Sequence, residues 1–346
     1  MNEDYNCPCR DVDPDNFVTN EEVLKLLETK DDYKFNQGDY LRLYNCVHCG
    51  ACGTHYERFL LKQKFLKDGN EIEGLNEQIE VLKKYETPFK LNKSRIKLIE
   101  GINVKSKTLL YFGCFTTVKT PKYGEDIAKY LLSKNVDFNV LEKEICCGYP
   151  ILCTGEISTY DLLVERNKKL FIEMGFEKII TVCPSCYMVL KKHYQELGIK
   201  IEYFTQYLKP IAGKYKGNLM IQHACPLKYI EFPGIEEDIK QLYEDSGYNV
   251  LSVPHNCCGG GVGHQLRTDI SEMISIKRMK EFKVVEDINS ETADSTIHIT
   301  TYCPDAYWIL KFFGKKQRSK HKLVGMGELL RENRMIYFSE SNIQKT

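Results

Sequence analysis

The sequence has no excess of either charge. Its 48 Lys and Arg balance 48 Asp and Glu over 346 residues, so its overall electrostatics give no pull toward nucleic acid or an anionic membrane. It has no apolar run of the roughly 18 residues that a membrane-crossing helix needs. The first residues, Met-Asn-Glu-Asp-Tyr, carry neither the basic nor the apolar stretch of a secretion signal. A cytoplasmic chain without a membrane span is therefore expected. No Gly-x-Gly-x-x-Gly spacing and no Walker lysine accompany its glycines, so any flavin or nicotinamide belongs to a partner. The apolar fraction, 42%, is modest but sufficient for sizeable cores, and the length suits two or three domains. One basic stretch, Lys315, Lys316, Arg318, Lys320 and Lys322, is short and reads as a solvated surface loop.

What the sequence has in excess is cysteine, with fifteen. Without a route to an oxidising compartment a disulfide framework is not expected. Thiolates gathered around metal are the better account, and their spacing decides it. Cys114 is followed by Cys146-Cys147-Gly148 and then Cys183-Pro184-Ser185-Cys186. Cys225 is followed by Cys257-Cys258-Gly259 and then Cys303-Pro304-Asp305-Ala306. Three of the cysteine pairs are 111 residues apart, and Cys183 and Cys303 are 120 apart. Three equal offsets among rare residues mark a duplicated domain.

Each copy reads as alternating strands and helices. In the first, 107–112 is a short β-prone run that ends beside Cys114. Ile127, Tyr130 and Leu131 recur at helical spacing, and Val136, Phe138 and Val140 alternate like a strand. A helix at about 162–174 precedes a strand at 178–182, which runs into Cys183, and Pro184 suits a helix's first turn. In the second copy the strands fall at 218–222, 249–253 and 296–301. Such alternation gives parallel α/β layers, and cysteines at the strand ends converge on one edge. The expected fold is therefore α/β, with two related domains (106–214 and 215–346) in pseudo-twofold symmetry after a mainly α-helical N-terminal region (1–105). There Ile72, Leu75, Ile79 and Leu82 mark a helix buried on one face, or alternatively a partner-binding helix.

In that N-terminal region, Cys46-Val-His-Cys49-Gly-Ala-Cys52 is the first three-ligand part of a bacterial ferredoxin motif. Such a loop holds three corners of a [4Fe–4S] cube, and Gly50 lets backbone amides approach the sulfurs. Tyr56-Glu57 stands where the motif's Cys-Pro would follow. A single cubane with a remote fourth ligand is expected, from Cys7 or Cys9, with Cys9 slightly ahead. A zinc site or free thiols are the alternatives.

The five cysteines of the first repeat exceed what tetrahedral zinc or a simple cubane needs, and the adjacent pair suits an extended cluster. The pattern Cys-x31-Cys-Cys-Gly-x34-Cys-Pro-Ser-Cys resembles the CysCysGly (CCG) domain of heterodisulfide reductase catalytic subunits. Related domains occur in iron–sulfur subunits of glycerol-3-phosphate and lactate oxidation and in thiol:fumarate reductase. The resemblance covers residues from about 106 to 330. It implies a duplicated CCG fold, and a noncubane [4Fe–4S] cluster on Cys114, Cys146, Cys147, Cys183 and Cys186, at which a disulfide between two thiol coenzymes is reduced. These five are the catalytic candidates.

The second repeat keeps Cys225, Cys257, Cys258 and Cys303 but has Ala306 where a fifth cysteine belongs. A cubane, a modified noncubane cluster and zinc all stay open there, with iron–sulfur preferred. Gly259, Gly260, Gly261 and Gly263 give room for a bulky cluster and aim amides at its sulfurs. Cys153 lies outside the repeat and reads as a buried structural thiol, otherwise as a remote ligand of the N-terminal cluster. His223 and His255, two residues before Cys225 and Cys257, read as hydrogen-bonded structural residues in preference to proton donors or ligands. His48 and His55 read as loop residues near the cubane, and Trp308 as core.

The leading functional reading is a component of a multi-subunit oxidoreductase. Electrons arrive at the N-terminal cubane from a flavoprotein-, hydrogenase- or dehydrogenase-type partner and reach the first CCG site, where a disulfide is reduced. The alternatives are a relay between a flavoprotein or dehydrogenase and another acceptor, or a carrier that hands its cluster on. Catalysis and relay part on whether a substrate-sized pocket opens onto the first site.

Overall fold

The computed structural model describes residues 7–30, 32–91, 94–97, 99–210, 217–261, 266–289, 297–316 and 322–329. The N-terminal region is helical: α1 (Pro8–Val12), α2 (Asn20–Glu28), α3 (Tyr40–Tyr44), α4 (His55–Lys67) and α5 (Leu75–Tyr85). A capping box starts α2: the Thr19 hydroxyl accepts from the Glu22 amide, and the Glu22 carboxylate accepts from the Thr19 amide. Ile72 lies outside α5, contrary to the periodicity. Gly74 sits just before the helix at φ +74, a left-handed conformation that ends the preceding turn and caps the helix three residues later than expected. Leu75 and Leu82 are buried, so the one-sided burial of α5 holds.

The first repeat builds a three-stranded parallel sheet in the order β1 (Thr108–Tyr111), β2 (Lys178–Thr181), β3 (Lys200–Tyr203). Around it lie α6 (Cys114–Lys119), α7 (Pro121–Ser133), α8 (Tyr149–Leu152), α9 (Ile157–Glu173) and α10 (Pro184–Tyr194). The second repeat builds a four-stranded parallel sheet from β4 (Asn218–Gln222), β5 (Asn249–Val250), β6 (His298–Thr301) and β7 (Lys322–Gly325), in the order β5-β4-β6-β7. Its helices are α11 (Ile235–Asp245), α12 (Thr268–Asn289) and α13 (Pro304–Lys316). The strands are covered on both faces, which is why their buried centres read as short apolar runs such as Leu219-Met-Ile221.

Val136–Val140 is not a strand. It makes one isolated bridge, Asn139 to Leu109, in which both backbone groups of Asn139 pair with β1; the pairing stops there because the next amide, Val140, donates to Asn139 Oδ1 at 2.8 Å. β5 is likewise only two residues long. The basic stretch is no single loop: Lys315 and Lys316 end α13 and Lys322 begins β7, while 317–321 lie outside the described residues. Trp308 is partly buried on α13, edge-on to Phe115 and stacked with Phe312. Among the described residues no helix is long and apolar enough to cross a membrane.

The two sheets meet near their cysteine-bearing ends. The Tyr203 hydroxyl lies within hydrogen-bond distance of the carbonyls of both Val182 and Tyr302, the residues just before Cys183 and Cys303, and shares its one proton between them. Tyr123 on α7 donates to the Thr301 carbonyl at 3.2 Å.

Candidate metal centre

The first repeat brings its five cysteines into one buried chain of contacts. Cys114 opens α6 and Cys183 ends the segment after β2, so both stand at the same sheet edge. Cys114 and Cys146 sulfurs are 3.5 Å apart. Cys147 neighbours Cys146 and Cys186, and Cys186 neighbours Cys183, all of them buried. Gly113 has φ +84, and a Cβ there would lie 2.8 Å from the Cys186 sulfur, so only glycine lets β1 pass this close. The Gly148 amide donates to the Cys146 sulfur at 3.4 Å. Neighbouring thiols, and then burial, push Cys146 and Cys186 far above the ordinary thiol range. Glu144, which sequence reasoning missed, anchors the cysteine pair. Its carboxylate accepts from the Phe112 and Gly113 amides, each at 2.7 Å, although burial raises its carboxyl to about 8.

The second repeat repeats much of this geometry with different neighbours. Cys225 neighbours Cys257, which is followed directly by Cys258, and all three are buried. The Gly259 and Gly260 amides donate to the Cys257 and Cys258 sulfurs at 3.3 and 3.4 Å, so the glycine run does aim amides at sulfur. Gly263 lies outside the described residues. Cys303 faces Asp305, Cys183 and Cys258. Asp305 Oδ2 is 3.9 Å from the Cys183 sulfur, so this carboxylate joins the two sites. Its signal in the sequence is its position after Cys-Pro, where the first repeat has Ser185. Glu144 and His255 occupy the same place in the 111-residue register. His255 Nε2 is 3.9 Å from the Cys225 sulfur, and His223 Nδ1 is 3.2 Å from the Tyr302 hydroxyl.

The N-terminal loop gathers both proposed remote ligands. The Cys9 sulfur accepts from the Val47 amide at 3.4 Å, and Cys7 and Cys49 pack against the small cluster that Cys9 forms with Val47 and Cys257. The Cys46 sulfur accepts from the His48 amide at 3.4 Å, and the Cys52 sulfur from the Thr54 hydroxyl at 3.4 Å. The neighbouring Cys9 thiol, helped by Arg58 and Lys62, lowers the Cys46 thiol against the effect of burial. Cys49 lies beside Cys7 and Cys257, so this loop reaches the second repeat. His48 lies in the loop as read, whereas His55 opens α4; both are buried, and His48 stacks on Phe59. Cys153 is fully buried, with its carbonyl bonded to Lys62 and its thiol pushed up by burial.

A small cavity of about 50 Å³ lies among the three regions. The N-terminal loop contributes Cys49, the first repeat Pro184 and Ser185, and the second repeat Cys225, Cys257, Cys258, Cys303, Asp305 and Ala306. None of the five first-repeat cysteines lines it. All fifteen cysteines are free. Among the described residues no three His, Cys, Asp or Glu side chains are gathered tightly enough for a single metal ion. Thiol-only donor sets, amides pointed at sulfur and glycine cradles against Cys186 and Cys258 fit thiolate-held iron–sulfur clusters.

Buried thiol sets at parallel strand ends, with amides directed at their sulfurs, define an iron–sulfur protein. Residues 108–191 and 219–304 each match the cysteine-rich CCG domain; the chain is a tandem CCG-domain protein. It is similar to an uncharacterized iron–sulfur protein of Methanococcus maripaludis, at 23% identity over 75% of this chain and 56% of that protein. It is also similar to one of the subunits of the fumarate reductase (CoM/CoB) of Methanothermobacter marburgensis, at 24% identity over 75% and 56%. A third relative is one of the subunits of the dihydromethanophenazine:CoB–CoM heterodisulfide reductase of Methanosarcina acetivorans, at 23% over 62% and 55%. The chain thus spans little more than half the length of these relatives.

Proposed function

We propose that this chain is the iron–sulfur subunit of a multi-subunit oxidoreductase. Its N-terminal cysteines receive electrons from a redox partner, and a disulfide-type substrate is reduced in the cavity between the CCG repeats. The cavity carries this reading, because it is bounded by cysteines of the N-terminal loop and the second repeat and by the Pro184-Ser185 turn of the first. The relatives named above as reductase subunits support the redox role.

Three working regions follow, 1–105, 106–214 and 215–346. The matched orders β1-β2-β3 and β4-β6-β7 support an approximate twofold relation between the last two. A cubane is assigned to Cys46, Cys49 and Cys52 with Cys9 or Cys7, and a noncubane cluster to Cys114, Cys146, Cys147, Cys183 and Cys186. A further iron–sulfur cluster, in preference to zinc, is assigned to Cys225, Cys257, Cys258 and Cys303. Such clusters supply one-electron steps; reducing a disulfide to two thiols takes two electrons and two protons. The chain's own part is to bury the donors, fix their spacing through Tyr203, and hold the substrate against Asp305 and the space left by Ala306.

The burial of the first-repeat cysteines away from the cavity favours a second reading, a pure relay. The test is anaerobic reconstitution followed by disulfide-dependent reoxidation of the reduced protein, watched by electron paramagnetic resonance. A substrate-induced signal supports catalysis. Electron delivery to a protein acceptor with no response to any disulfide establishes the relay.

A further inference from the structure

Helix α4 turns two cations inward. Arg58 and Lys62 lie one helical turn apart, 4% and 0% exposed. Lys62 Nζ is 2.6 Å from His48 Nε2 and donates to the Cys153 carbonyl at 3.1 Å, with its ammonium 4.7 Å from the Tyr44 ring centre. Arg58 donates to the Val18 carbonyl at 2.8 Å and to Asn20 Oδ1 at 3.3 Å, while its Nε is buried without a partner. These partners carry no negative charge, and among the described residues neither cation has a carboxylate within ion-pairing distance.

The contrast with Arg278 is instructive. That residue is equally buried beside the second repeat's cysteines, but it is paired with Glu281 at 2.8 Å. Two unpaired cations in the protein interior are strongly unfavourable, and at this spacing they also repel each other. Geometry puts both cations against the cysteine loop: His48, the partner of Lys62, donates its amide to the Cys46 sulfur at 3.4 Å, and Asn20, the partner of Arg58, donates to the Cys52 carbonyl at 3.0 Å. An iron–sulfur cluster held by four thiolates is an anion and becomes more negative when it accepts an electron.

We infer that Arg58 and Lys62 are the built-in counter-charge of the N-terminal cluster and hold its reduction potential up. The inference rests on the reading that Cys46, Cys49 and Cys52, with Cys9 or Cys7, hold that cluster. Accepting one electron there forms and breaks no bond. The fixed positive charge favours the reduced state over the oxidised one, which suits the receiving end of the chain of sites. Lys62 also ties this end to the first repeat, since its carbonyl partner Cys153 directly follows α8, the helix after the Cys146-Cys147 pair.

The experiment is a potentiometric titration of the full-length, anaerobically reconstituted protein, monitored by electron paramagnetic resonance. The N-terminal signal is assigned as the one lost in Cys49→Ser. Its midpoint falls in Lys62→Met and in Arg58→Met and is kept in Arg58→Lys, while the other signals hold their midpoints. Thermal unfolding of the cluster-free protein is the second readout. There Lys62→Met unfolds at a higher temperature than the parent, because it deletes an uncompensated buried charge. If Lys62→Met fails to take up the N-terminal cluster while its cluster-free form is stabilised, the counter-charge role is equally supported. An unchanged midpoint, a uniform shift of every signal, or a destabilised cluster-free Lys62→Met protein overturns it. If Cys49→Ser removes no signal, the cluster assignment itself fails, and that outcome is distinct from an unmoved midpoint.

Discussion

Gly259 and Gly148 hold the same place in the two repeats, and alanine there should act unequally. Gly259 has φ +75, and its added Cβ would lie 2.4 Å from the Ser271 carbonyl oxygen and 2.5 Å from Ser275 Oγ. Neither neighbour can yield. Ser271 is in the body of α12 and its hydroxyl donates to the Gly259 carbonyl; Ser275 donates to the Cys258 carbonyl at 2.7 Å. The turn must therefore retreat from α12. A left-handed alanine costs about 1–2 kcal/mol, and the two hydroxyl bonds are worth about 1 kcal/mol each, so Gly259→Ala should lose roughly 3–4 kcal/mol. Gly148 has φ +91, but its Cβ would meet the ring of Tyr160 at 2.7 Å, a side chain that can shift. Gly148→Ala should lose about 2 kcal/mol, the backbone cost plus modest overpacking. Anaerobic urea unfolding of the cluster-free proteins measures both, and iron per chain after reconstitution should drop further in Gly259→Ala. A Gly259→Ala loss equal to or below that of Gly148→Ala refutes the reasoning.

Other consequences are equally direct. Tyr203→Phe deletes the hydroxyl between Val182 and Tyr302; unfolding should register a loss of about 1–3 kcal/mol, and paramagnetic line shapes should change for both CCG sites at once. Cys9→Ser should remove the N-terminal cluster's signal and its share of iron while both CCG signals remain; full iron in that variant would pass the fourth-ligand role to Cys7. Burial first, and then Lys322, lower the pKa of His298. Its imidazole is therefore neutral in the fold over a range where the unfolded chain binds a proton. That contribution is complete above about pH 6.5, the unfolded value, and stability falls as pH drops below it. The fall should be shallower in His298→Asn, followed by unfolding midpoints between pH 7 and 5.

The parts of this molecule written in local sequence were legible in it. The duplication, the strands that lead into Cys114, Cys183, Cys225 and Cys303, and the helix-starting Pro184 all follow from spacing and period. Cys7 and Cys9 were named as partners of the Cys46 loop on arithmetic alone, and the fold places them against it. Val136–Val140 misled because alternation records burial of one face, not pairing, and Asn139 Oδ1 takes the Val140 amide that would have continued the ladder. The cavity, the reach of Asp305 to Cys183 and the approach of Cys49 to Cys257 depend on how the repeats pack together, which no period within one repeat encodes. Arg58 and Lys62 were hidden for a simpler reason: a charged residue on a helix reads as solvent-facing unless the group that compensates it is known.

The Tyr203 hydroxyl bears on speed as well as stability. Electron tunnelling decays exponentially with the gap between centres, so small changes in that gap become large changes in rate. A single oxygen atom here clamps the carbonyls that precede Cys183 and Cys303. Because Tyr203 and Val182 belong to the first sheet, the second sheet cannot drift here without stretching the contact to the Tyr302 carbonyl. The distance between the two halves is thereby held by a direct contact, and on the function proposed above electrons would cross it without a closing motion of the domains.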